Sequence, residues 1–169
     1  MFTRLKSRFV TALAALTVLA SSFAATPMVC AQSEESASHH SLEGAWWVTV
    51  TLYNCATGAK RPPFSSILLF SRGGTLTEVT SNPGFLPGQR SIGLGTWARS
   101  DHDTYSASDV AYIQFTGGAF TQGTQKLTHS ITLDHDADSF TDEATVQFFD
   151  STGAVLMSGC ASASATRLQ

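Results

Sequence analysis

The chain is poor in charge, in cysteine and in long apolar runs. Asp, Glu, Lys and Arg make up 14% of its 169 residues, and no basic cluster lies beyond Arg8, which argues against a nucleic-acid partner. It has no Gly-x-Ser-x-Gly, no phosphate-binding glycine loop and no zinc-type cysteine spacing. We therefore assign no catalytic residue, no metal ligand set and no cofactor. Past the first thirty residues no segment is long and apolar enough to span a bilayer as a helix. Nor does any long stretch repeat apolar residues at helical spacing, which excludes a helical bundle.

What is present begins with an export signature. Arg4, Lys6 and Arg8 precede an apolar stretch from Phe9 to Ala20, and small residues follow. Val29-Cys30-Ala31 fits a small-x-Ala cleavage site, so residues 1–31 read as a signal peptide cut after Ala31, with Ala24 as the rival site. The leader carries three of the ten basic residues and none of the thirteen acidic ones. Its loss leaves seven against thirteen, a formal charge of −6. Residues 32–42, QSEESASHHSL, read as a flexible lead-in, and residues 43–169 as one domain. Once Cys30 leaves with the leader, Cys55 and Cys160 remain, and in an oxidising compartment their default is a disulfide. The reading is thus of an exported protein, periplasmic or extracellular.

From Gly44 onward β-branched and aromatic residues alternate with polar ones. Strands are expected near 45–54, 65–71, 74–80, 94–100, 104–116, 126–134, 139–149 and 154–167. Gly73-Gly74 and Asp150-Ser151-Thr152-Gly153 are expected to make tight hairpins. Eight sequential strands on short connections predict an all-β, single eight-stranded antiparallel up-and-down barrel, because closure removes the exposed edges; a two-sheet sandwich is the alternative. The connection 81–93 is long and stiffened by two prolines, and Phe85 and Leu86 make it a candidate lid over the mouth.

In the first strand Trp46, Val48, Val50 and Leu52 share the more apolar parity, so that face is expected inward and Trp47 outward. Gly44-Ala45-Trp46 resembles the Gly-x-Trp that opens the first strand of lipocalins and related calycin barrels. In those proteins the tryptophan seals the floor and a basic residue from the end of the last strand lies across it. Arg167 stands in the corresponding place here. The lipocalin Thr-Asp-Tyr motif is missing and no helical pattern follows the last strand, so the resemblance is to a compact calycin-type barrel. If Cys55 sits opposite Cys160 in an antiparallel pair, Tyr53 falls opposite Ser162 and Val48 opposite Arg167, which places Arg167 within a strand width of Trp46.

Polar residues at inward parity are the candidate site. His129 alternates with Leu127 and Ile131, Asp109 with Tyr105 and Ala111, and Asp142 with Phe140 and Ala144. His129, Asp109, Tyr105, Phe115, Phe85 and Leu86 are the expected ligand-binding residues. A small hydrophobic molecule is the expected partner. The resemblance also admits an enzyme similar to allene oxide cyclase-like barrels, with His129 or Asp109 as acid or base. A filled barrel serving as an envelope or surface interaction domain is the third reading. Exported material is expected to begin at Gln32; an intact mass retaining Cys30 would overturn the leader assignment.

Overall fold

The computed structural model describes residues 41–114 and 123–169. The leader, most of the lead-in and Phe115 lie outside the described residues. Eight strands run in chain order: β1 (Gly44–Tyr53), β2 (Phe64–Ser71), β3 (Thr75–Thr80), β4 (Gly93–Arg99), β5 (Thr104–Ile113), β6 (Gly123–Leu133), β7 (Ser139–Asp150) and β8 (Val155–Arg167). Each pairs antiparallel with the next and β8 returns to β1, closing the barrel and excluding the sandwich. The β2–β3 turn is tight because Gly73 and Gly74 both take left-handed backbone, at φ 90° and 86°, which side chains with a Cβ resist.

The first strand holds the parity expected of it. Trp46 and Val48 are buried while Trp47 is 47% exposed. Trp46 lies in a floor made with Leu42, Phe70, Leu133 and Phe140, its ring edge-on to Phe140 at 4.9 Å. Its indole Nε1 donates to the Leu42 carbonyl at 2.9 Å, so the one polar atom of the plug is satisfied. Leu42 itself, read from sequence as lead-in, is fully buried.

Arg167 closes this end from outside. Its guanidinium carbon stands 4.2 Å from the centre of the Trp46 ring. Its nitrogens donate to the carbonyls of Ala137, Glu43 and Ser41 at 2.6–3.0 Å. Gly44 explains the glycine of the opening motif: its φ is 126°, and a Cβ there would stand 2.7 Å from Arg167 Nη1.

The register between the end strands differs from expectation by two residues. Trp46, not Val48, pairs with Arg167, and Cys160 faces Tyr53. Cys55 lies beyond β1 in the turn that Asn54 organises through its side chain, so the Cys55–Cys160 disulfide runs diagonally, with a Cα separation of 5.4 Å. A shift of two keeps every side chain on its predicted face, which is why the parity argument survives the wrong pairing. The start of β8 departs further. Val155 and Met157 share the sequence parity of Ala161 yet are over half exposed, because β8 runs on past the end of its pairing with β1 at Tyr53↔Cys160, and the irregularity at Phe148/Phe149 sets Val155 opposite the outward Phe149.

Removing the plug should be costly. Trp46→Ala is expected to lose about 3–5 kcal/mol, typical of a truncated buried aromatic. Thr49→Ala, on the outer face of the same strand, should lose under about 1 kcal/mol. Equal losses in urea melts would contradict the inward assignment.

Candidate functional site

The floor fills one half of the barrel, and a buried polar cluster with a small cavity occupies the half toward the mouth. The cluster is built on alternation. Asp109 on β5, His129 on β6 and Asp142 on β7 sit at inward positions of three neighbouring strands, in register across Ala107↔His129 and His129↔Ala144. All three are buried. His129 Nδ1 meets Asp142 Oδ2 at 2.6 Å, and Nε2 meets Asp109 Oδ1 at 3.1 Å. Asp142 Oδ1 also accepts the Ser130 amide at 3.1 Å. Burial alone would push the imidazole down, but hydrogen bonds and charge from both aspartates outweigh it and hold His129 up at about 10. The ring is therefore an imidazolium, with both nitrogens committed to carboxylates.

Three further members escaped the sequence reading. Arg90 leaves the long β3–β4 connection and drives its side chain inward, where it is 4% exposed. It donates from Nε to Gln125 Oε1 at 2.5 Å and pairs through Nη2 with Glu78; its distance to Asp109 Oδ2 is 3.9 Å. Backbone pairing of Arg90 with Ile113, and of Gln89 with Gln114, fixes the loop where this reach is possible. Gly93 provides the room, since any side chain there would collide with the Asp109 and Glu78 carboxylates. Glu78 and Gln125 did carry a signal, because they alternate with Leu76 and with Leu127 and His129. Arg90 carried none, being in a loop without periodicity.

Burial raises the Glu78 carboxyl; Arg90 opposes this and Asp109 adds to it. Asp109 Oδ2 and Tyr105 Oη are buried polar atoms that make no hydrogen bond among the described residues.

The cavity beside this cluster has one aliphatic wall, including Val48, Val50, Leu68 and Val146, and one polar wall, including Glu78, Arg90, Gln125 and His129. Its room for the centres of water-sized occupants is about 40 Å³. At roughly 10–15 Å³ each that is space for about three waters. A larger groove of about 290 Å³ opens outside it under the β3–β4 connection. Phe85 borders both spaces and packs on Phe148 with ring centres 6.4 Å apart.

The expected site residues thus separate. His129 lies on the cavity wall, with Asp109 behind it, and Phe85 stands at the mouth. Leu86 lines only the outer groove. Tyr105 belongs to the floor, beside Trp97 at 5.8 Å, and does not touch the cavity. Among the described residues no cluster of His, Cys, Asp and Glu is arranged to hold a metal, and no helix is long and apolar enough to cross a membrane. No protein-family profile matches the chain, and no curated protein sequence matches it significantly.

The sign of the pH dependence follows from His129. Its proton is held more tightly in the folded chain, near 10, than at the ordinary 6.5. The stabilisation is therefore complete below about pH 6.5 and drains away as pH rises through 10. Glu78 acts with the same sign in a lower window that opens at its ordinary value of 4.5. Urea midpoints should fall between pH 6.5 and 10. His129→Leu should remove that fall and cost about 3–5 kcal/mol at pH 6, by stranding two buried carboxylates. An unchanged slope in the variant would contradict the assignment.

Proposed function

We propose that this protein is an exported calycin-type barrel that binds a small, mainly apolar molecule bearing one polar group. The observation that carries the reading is the two-sided cavity, aliphatic against β1, β2 and β7 and polar against Glu78, Arg90 and Gln125. The export signature and the Cys55–Cys160 disulfide support an oxidising location. The Gly44-Ala45-Trp46 floor with Arg167 across it supports the calycin likeness.

The polar group of the ligand meets the Glu78–Gln125–Arg90 side. His129 braces that side from within, since both its nitrogens are spent on Asp109 and Asp142. The same commitment weighs against His129 as the base of the cyclase alternative. An imidazolium held up at about 10, with no free nitrogen, is not a general base near neutral pH. Entry runs through the outer groove, which shares Thr80, Asn82, Phe85 and Arg90 with the lumen, Phe85 being the one large apolar side chain among them.

Native mass spectrometry of protein purified from its source, followed by denaturation, should release an apolar compound. Phe85→Ala should raise the exchange rate of a neutral hydrophobic fluorescent probe by at least about tenfold, by removing the side chain between groove and lumen. A protein that carries nothing, binds no such probe and is unaffected by Phe85→Ala would refute the container reading.

A further inference from the structure

The buried cluster has one acidic side chain more than it has basic ones. Glu78, Asp109 and Asp142 supply three carboxyl groups, and Arg90 and His129 supply two cations. Among the described residues no third basic side chain lines the cavity. The two cations are also committed. Both ring nitrogens of His129 are held by Asp109 and Asp142. Arg90 donates from Nε to Gln125, from Nη1 to the Ser91 carbonyl at 3.3 Å and from Nη2 to Glu78. An anion entering the lumen would meet no cation that is not already paired.

The acceptors are not all committed. Asp109 Oδ2 is buried and makes no hydrogen bond among the described residues, though Asp109 stands behind the cavity wall. Glu78 is on the wall itself, with a side chain 7% exposed. Arg90 meets its Oε2, and among the described residues its Oε1 has no hydrogen-bond partner. Ser66 lines the same cavity from β2, one inward step from the Leu68 that pairs with Glu78. Its hydroxyl donates to Thr80 Oγ1 at 2.9 Å, which leaves its lone pairs to accept. Gln125 has given its oxygen to Arg90 and has amide N–H groups, neutral donors that cannot offset a carboxylate.

We infer that the polar group of the ligand is a primary ammonium, received by Glu78 Oε1 and Ser66 Oγ, and that the molecule is a slender apolar amine. This rests on the ligand reading above and narrows it. An ammonium has three N–H donors and no acceptor, the complement of a wall with unspent acceptors. It brings the cations to three against three carboxyl groups, so its charge is buried against a partner rather than alone. A carboxylate would add a fourth acid beside the other three, and like charges so placed repel. A hydroxyl fits the space but leaves the extra acid unmatched. The lumen has room for about three waters, enough for the ammonium and its first carbons. The rest of the chain runs past Phe85, which lines both spaces, into the outer groove between Val79, Pro83, Leu86, Pro87 and Ile92.

The test is calorimetric titration of the full exported chain at pH 8 with three matched probes: n-octylamine, n-octanol and octanoate. Octylamine should bind at least about tenfold more tightly than octanoate, the lower end of what a close charge pair contributes. Octanol should fall between them. Glu78→Gln keeps the shape of the side chain and removes the extra acid. It should weaken octylamine at least about fivefold more than it weakens octanol. A second arm uses the wild type alone. Burial holds the Glu78 carboxyl above its ordinary 4.5 although Arg90 opposes it, with Asp109 adding to the rise and His129 opposing. At pH 4.5 a proton therefore competes for Glu78 while octylamine stays charged, and the advantage of octylamine over octanol should shrink at least about twofold from its value at pH 8. Octanol or octanoate binding as tightly as octylamine overturns the ammonium and leaves the container reading standing. So does an octylamine advantage untouched by Glu78→Gln in a variant whose far-UV circular dichroism matches the wild type. Should that variant not fold, an advantage equal at pH 8 and 4.5 overturns it. If none of the three probes binds, the container reading fails and this inference fails with it.

Discussion

Everything in this barrel depends on the seam where its first and last strands meet. Seven of the eight strand pairings join neighbours in sequence. The eighth joins β1 to β8 across nearly the whole domain and must offset the entropy of closing that loop. Two devices hold it. At the floor, Arg167 spreads over Trp46 and ties three carbonyls from two separate segments. At the mouth, a disulfide joins residues 105 positions apart, worth about 4–5 kcal/mol in the chain-entropy account. The turn before β7 is bent to serve the first of these. Ala137 takes a left-handed φ of 56°, unusual for a residue with a Cβ, and its carbonyl accepts two of the Arg167 donors.

The second organising fact is that the interior is half oil and half salt. A filled apolar lumen would be simpler to fold, since buried ion pairs recover their desolvation only with near-complete hydrogen bonding. Here a chain of groups, Asp142 to His129 to Asp109 and Glu78 to Arg90 to Gln125, supplies that satisfaction almost completely. The cluster also pins the β3–β4 connection to the barrel wall, because Arg90 is a loop residue whose guanidinium pairs with Glu78 and Gln125 inside. Loop and lumen are therefore coupled: what disturbs the carboxylates loosens the cover, and what lifts the cover leaves charges unpaired.

The barrel, its strand order and most strand bounds were legible in the sequence, because alternation and turn chemistry report directly on pleat and hairpin. The inward aspartates and His129 were legible for the same reason. Three things were not. The β1–β8 register was misjudged because a disulfide tolerates a diagonal placement and Cys55 lies in a turn rather than a strand. The exposure of Val155 and Met157 was hidden because parity says nothing about where β8 loses its β1 neighbour or where an irregularity resets the alternation. Arg90 was hidden because a loop has no period, so a side chain reaching inward from it leaves no pattern. Leu42 shows the limit of composition: one leucine in a polar stretch is enough to extend the core.

The seam also sets an order of events. During synthesis β1 is made first and its final neighbour last, so its outer edge stays open while six other strands are laid down. Pairings from β2 to β7 can form as hairpins while the chain grows, each on microsecond timescales. Closure cannot, and until it happens both terminal strands offer unpaired backbone to any passing strand. Cys55 meanwhile waits more than a hundred residues for Cys160. The molecule is thus most vulnerable to strand addition and to a wrong thiol partner at the same moment, just before its end arrives.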